Sequence, residues 1–144
     1  MRRVVTGMLV AAVVLVVAYW SVWFTHRSWL ASDTTQGYYD FEDAFPLADG
    51  LLALACILAL VALRRRSPSA LLWLVAAGSA GLYLCAMDLL YDLEQGIFAK
   101  GAGGATEAVL VTVELVFSVV VLRWAWSRRR ELLGDDSSRP RPSP

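Results

Sequence analysis

The sequence predicts an all-α fold, an integral membrane four-helix bundle with both termini cytoplasmic. Three observations carry that expectation. Hydrophobic residues make up 58% of the 144 and mean hydropathy is +0.54, while charged residues are 18%, below the ~25% of a typical soluble domain. Four apolar runs each approach the ~20 residues needed to cross a bilayer. The basic residues, finally, fall almost entirely at alternate ends of those runs.

The runs cover residues 4–25, 46–63, 69–91 and 108–127, within one transmembrane domain of residues 1–131. Span one follows Arg2 and Arg3 and could pass for a secretory leader. Its core is too long for one, and it ends in YWSVWF with no small-residue cleavage site, so it reads as a retained helix. Pro46 opens span two, where a proline is tolerated at the first helical position. RRRSP, residues 64–68, forms a tight turn into span three. The longer connection, residues 26–45, is rich in aromatics and acids, and GAGGA within residues 95–105 reads as a flexible connection before span four. Residues 132–144, polar and proline-rich, read as a disordered cytoplasmic tail.

Orientation follows from the excess of basic residues on cytoplasmic loops. Arg2, Arg3, Arg64, Arg65, Arg66, Arg123, Arg128, Arg129, Arg130, Arg139 and Arg141 fall on one side, leaving Arg27 and Lys100 for the other. The acids are reversed: Glu131, Asp135 and Asp136 share the arginine side, and the other ten lie toward the outer half. Heavy use of Arg, Ala, Val and Leu points to a bacterial source, hence to an inner (plasma) membrane location, multi-pass, with N and C termini inside.

Packing signals favour spans two and three as the centre. Ala77, Gly78 and Gly81 cluster on one side of span three, and Ala53, Ala55, Ala59 and Ala62 line span two. Small residues let helix backbones approach closely in lipid. Trp20, Trp23, Trp29, Tyr38, Tyr39 and Tyr91 read as an outer interfacial belt, with Trp124 and Trp126 at the inner interface. Cys56 and Cys85 lie in apolar runs without a C-x-x-C pair, and read as small buried hydrophobes. His26 is the only histidine, which excludes a bis-His haem within one chain.

The outer acids divide by position. Asp33, Asp40, Glu42 and Asp43 read as solvated loop residues. Asp49 and Glu107 read as acids at helix starts, where negative charge is favoured by about 0.3–1 kcal/mol. Asp88 and Asp92 have no such support, because they sit at the negative C-terminal end of span three and repel each other at i and i+4. Glu114 is deepest, about 10 Å along span four from Glu107, with no basic side chain at its depth. It is expected to be protonated or coordinated from within the bundle, since an ionised carboxylate near a helix centre costs about 2.5–3.5 kcal/mol.

Together these positions predict an outward-facing, carboxylate-lined pocket. Its expected ligand-binding residues are Asp49, Asp88, Asp92, Glu114 and His26, for a cation or a polar, cationic ligand. Asp88, Asp92 and Glu114 are the candidate metal ligands, because oxygen-rich sites suit hard divalent cations. The expected partners are the lipid bilayer and, through the outer loop, another membrane protein; nothing points to nucleic acid. Two alternatives differ in kind. One is a membrane-embedded enzyme acting on a lipid or isoprenoid at the outer leaflet, with Asp88 and Glu114 as acid and base. The other is a structural or partner-binding subunit of a membrane complex.

Overall fold

The computed structural model describes residues 1–134. Residues 135–144 of the expected tail, with Asp135, Asp136, Arg139 and Arg141, lie outside the described residues, whereas Leu132 and Leu133 are helical and not disordered. The described chain is all-α: α1 Arg2–His26, α2 Gln36–Glu42, α3 Pro46–Arg64, α4 Ser69–Glu94, α5 Gly101–Ser127 and α6 Arg129–Leu133. Short 3-10 turns at Arg27–Trp29 and Ile97–Ala99 complete the connections. α1, α3, α4 and α5 are long and apolar enough to cross a membrane.

The packing order is α1 on α3, α3 on α4 and α4 on α5, while α1 and α5 scarcely touch. The most apolar windows of α3 and α4 are buried most, that of α5 less and that of α1 least, as the distribution of small residues predicts. Ala55, Cys56, Ala59 and Ala62 of α3 pack with Leu74, Ala77 and Leu84 of α4 in the main core. Gly78 and Gly81 bring α4 against α5. A Cβ at Gly78 would lie 2.7 Å from Cγ of Leu122, and one at Gly81 would lie 2.6 Å from Oγ of Ser118.

Three expectations change. GAGGA is not a flexible connection, because α5 begins at Gly101 and absorbs it. Glycine disfavours helix interiors, but here small size is what permits the packing. A Cβ at Gly104 would run into the carbonyl oxygen of Ile97, and one at Gly103 would sit 3.0 Å from Cα of Ser32. The acidic connection is also partly helical. Thr35 caps α2 by accepting from the backbone N–H of Tyr38, and α2 folds back over the bundle end. Last, the aromatics at this end form a core of their own and only partly a belt. Trp20, Trp23, Tyr38 and Ile97 are buried together, with Tyr19, Tyr39, Phe45 and Tyr91 packed around them. Trp29, at 74% exposure, stands outside this core.

Candidate functional site

A cavity of about 280 Å³ lies between α1 and α5, closed at one end by the α2 segment. It runs from Trp20 to Met8 along α1, about 18 Å at 1.5 Å per residue. Toward the far end its α1 lining is apolar, Met8, Ala11 and Ala12, and Leu15, Leu52, Val113 and Val116 add apolar wall alongside the acids. The cavity carries six acids from four helices: Glu42 of α2, Asp49 of α3, Asp88 and Asp92 of α4, and Glu107 and Glu114 of α5. No lysine, arginine or histidine is among its lining residues.

Neutral donors, rather than cations, hold half of these carboxylates. Tyr19 donates its hydroxyl to Oε2 of Glu42 at 3.0 Å, and the Trp20 indole N–H donates to Oδ2 of Asp49 at 2.8 Å. Both donors sit on α1, one residue apart, so α1 is keyed to α2 and α3 through adjacent positions. Glu107 accepts from Oγ of Ser32 at 2.7 Å and from the Tyr38 hydroxyl at 3.1 Å, both through Oε1. Asp92 and Glu114 are treated differently. Asp92 is only 4% exposed, and its Oδ2 is buried with no hydrogen-bond partner; Oε2 of Glu114 is in the same condition. A buried polar atom left unsatisfied costs about 1–3 kcal/mol, so these two oxygens are the natural acceptors for a donor entering the cavity.

Of the five residues predicted as ligand-binding, Asp49, Asp88, Asp92 and Glu114 line the cavity and His26 does not. The chain leaves α1 through the 3-10 turn Arg27–Trp29, which stacks the exposed His26 ring on Trp29 with centroids 4.5 Å apart. Asp88, Asp92 and Glu114 are also the metal ligands that the sequence predicts. They share the cavity, but among the described residues no three His, Cys, Asp or Glu side chains converge closely enough to hold a metal ion. Ser118, one turn beyond Glu114 on α5, is fully buried against Gly81.

Two cavity acids were misread from sequence. Glu107 is the seventh residue of α5 and not a helix-start acid, because the helix begins earlier than expected. Glu42 is not a solvated loop acid, because α2 turns it inward onto Tyr19. Thr35 three residues before Tyr38 is a sequence signal for the α2 start that could have pointed to it. The other loop acids do stay outside the cavity. Asp33 pairs with Lys100, Asp40 accepts from Gln36, and Asp43 accepts from the Trp23 indole and lies 3.6 Å from Arg27.

Compared with family models, curated proteins and solved structures, the chain matches none of them.

Proposed function

We propose that this small membrane protein binds an amphiphilic organic cation in an outward-facing pocket, with the charged head among the carboxylates and the tail against the apolar wall. The observation that carries this reading is the presence of buried, unpartnered oxygens on Asp92 and Glu114 in a cavity that also has an extended apolar wall. Ionisable residues within membrane spans are costly, and mark ligand or ion sites when they face a cavity. A cationic head donating hydrogen bonds would satisfy at least one of these oxygens and offset the repulsion among the six acids. An organic cation suits the site better than a bare divalent ion, since no three ligating side chains converge. The volume lies just below the roughly 300–1,000 Å³ range of small-molecule sites. The wide α1–α5 seam gives a tail an exit toward lipid, with Leu15, Val113 and Val116 exposed along it.

The test is a thermal-shift and native mass spectrometry titration in a neutral maltoside detergent. Dodecylammonium, whose head carries N–H donors, is expected to bind and stabilise the protein, whereas methylammonium, lacking a tail, and dodecyl phosphocholine, lacking net charge, are not. Asp92→Asn combined with Glu114→Gln is expected to weaken binding at least about tenfold, the loss of one charge-assisted hydrogen bond. Equal binding of the zwitterionic amphiphile would refute the reading, and stabilisation by Mn²⁺ alone would favour a metal site instead.

A further inference from the structure

The opposite end of the bundle holds a second recess, of about 420 Å³, that the acid-lined cavity does not involve. Three separate segments contribute an arginine to it: Arg2 from the start of α1, Arg66 from the α3–α4 turn and Arg128 from the α5–α6 junction. The lining also includes Ser67 and the apolar Leu63, Leu132 and buried Trp124. Glu131 is the one acid in the lining, and it is engaged with Arg128 at 2.7 Å. Arg2 donates to the carbonyl oxygen of Leu63 at 2.6 Å, which fixes its guanidinium at the rim and leaves its other N–H groups available. Among the described residues no carboxylate pairs with Arg2 or Arg66.

Arg66 is placed by an unusual backbone. It has φ +52°, the only positive φ outside glycine among the described residues. The turn closes α3 with Ser67 N–H donating to Ala62 O at 2.9 Å and Arg66 N–H to Leu63 O at 3.3 Å. That is the Schellman pattern, whose left-handed position is usually glycine because a Cβ is unfavourable there. An arginine here strains the turn and directs a charge that a glycine would lack. Strained non-glycine residues of this sort concentrate at ligand sites.

We propose that this recess binds the phosphate of an anionic phospholipid, clamped by Arg2, Arg66 and Arg128. Guanidinium groups make paired, charge-assisted hydrogen bonds to phosphate oxygens, and basic pockets between membrane helices suit phospholipid headgroups. A lipid is the proposed source of the phosphate because the recess lies at one end of helices long and apolar enough to cross a membrane, the level at which headgroups sit. The site is independent of the acid-lined cavity, so either can fail without the other.

The experiment is a lipid titration of the detergent-purified protein, read by native mass spectrometry and melting temperature. Dioleoyl phosphatidylglycerol is expected to bind and raise the melting temperature, and dioleoyl phosphatidylcholine is not. Arg66→Gly relieves the backbone, so it is expected to fold with an equal or higher melting temperature without lipid while losing about tenfold in phosphatidylglycerol affinity. Arg128→Gln should lose a comparable amount. Arg65→Gln removes a charge one residue away but outside the recess, and should cost only about twofold. Equal losses from Arg65→Gln and Arg66→Gly would reduce the effect to diffuse surface charge and overturn the proposal. It would also be overturned by equal binding of phosphatidylcholine, or by millimolar inorganic phosphate giving the same stabilisation.

Discussion

The Tyr38 hydroxyl donates to Oε1 of Glu107 across 3.1 Å, joining α2 to α5 over a separation of 69 residues. Both residues are buried, Tyr38 to 1% exposure and Glu107 to 9%. This bond, with the one from Ser32 to the same oxygen, fastens the connection between α1 and α3 down as a cap over the acid-lined cavity. Tyr38→Phe keeps the ring packing and removes the hydroxyl, which donates to Glu107 and accepts from the Ser32 backbone N–H at 3.2 Å. It is expected to destabilise the protein by about 1–2 kcal/mol, read as a lower melting temperature in detergent. Ser32→Ala should behave similarly, and the double variant should lose more than the sum because Oε1 would then have no donor. Strict additivity would mean that the two donors do not act on one acceptor.

The start of α5 depends on Gly104 being small. Gly104→Ala places a methyl group against the Ile97 carbonyl oxygen and the Phe98 backbone, neither of which can rotate away. A loss of about 1–3 kcal/mol is expected. Gly50, within α3, has open space where a Cβ would go, so Gly50→Ala should be neutral or stabilise by up to about 1 kcal/mol. Comparing the two melting temperatures separates packing at Gly104 from a general response to added methyl groups.

The ion pair between Lys100 and Asp33 ties the loop ahead of α2 to the N-cap of α5. The Lys100 ammonium, and then the Thr34 backbone N–H, hold the Asp33 carboxyl below its ordinary value. The folded state therefore prefers the ionised form more than the unfolded chain does. Its stabilising contribution is fully present above the unfolded value of about 3.9, and fades as pH falls through the lowered folded value. Asp33→Asn should lower the melting temperature slightly at pH 6, with the difference from wild type shrinking below pH 4. Molar salt should shrink it as well, because the pair is near the surface.

Cys56 is fully buried and Cys85 is 3% exposed, and Cys85 points its thiol at the Val111 carbonyl oxygen, 3.5 Å away. Thiols without access to solvent or reagent are unreactive. Neither should be alkylated by N-ethylmaleimide in the folded protein, while both should react once it is unfolded. Mass spectrometry after timed labelling checks this, and rapid labelling of Cys85 in the native state would contradict the tight contact between α4 and α5.

The fold was largely legible because its signals are local. Apolar length, Pro46 at a helix start, and alternate arginine clusters need no knowledge of neighbours. Small residues at Ala59, Ala77 and Gly81 announced close helix contacts, and those positions are buried. The site was legible only in part. Asp88, Asp92 and Glu114 stood out because acids at a helix end or deep in a span have no local compensation, and the cavity includes all three. Glu42 and Glu107 did not stand out, because each had a sufficient local explanation.

From the sequence alone came four membrane-length helices, their segregation of charge to opposite ends, and the acids that lack local support. All of these follow from composition and spacing along the chain. The tertiary structure decided which acids meet, that His26 stays apart, and that Tyr19, Trp20, Ser32 and Tyr38 supply the donors. It also decided that three arginines from distant segments share one recess. The physical reason is the same in each case. A helix fixes which residues share its own face, but only packing fixes what that face meets, and here close approach at Gly104 and the fold-back of α2 set the meeting.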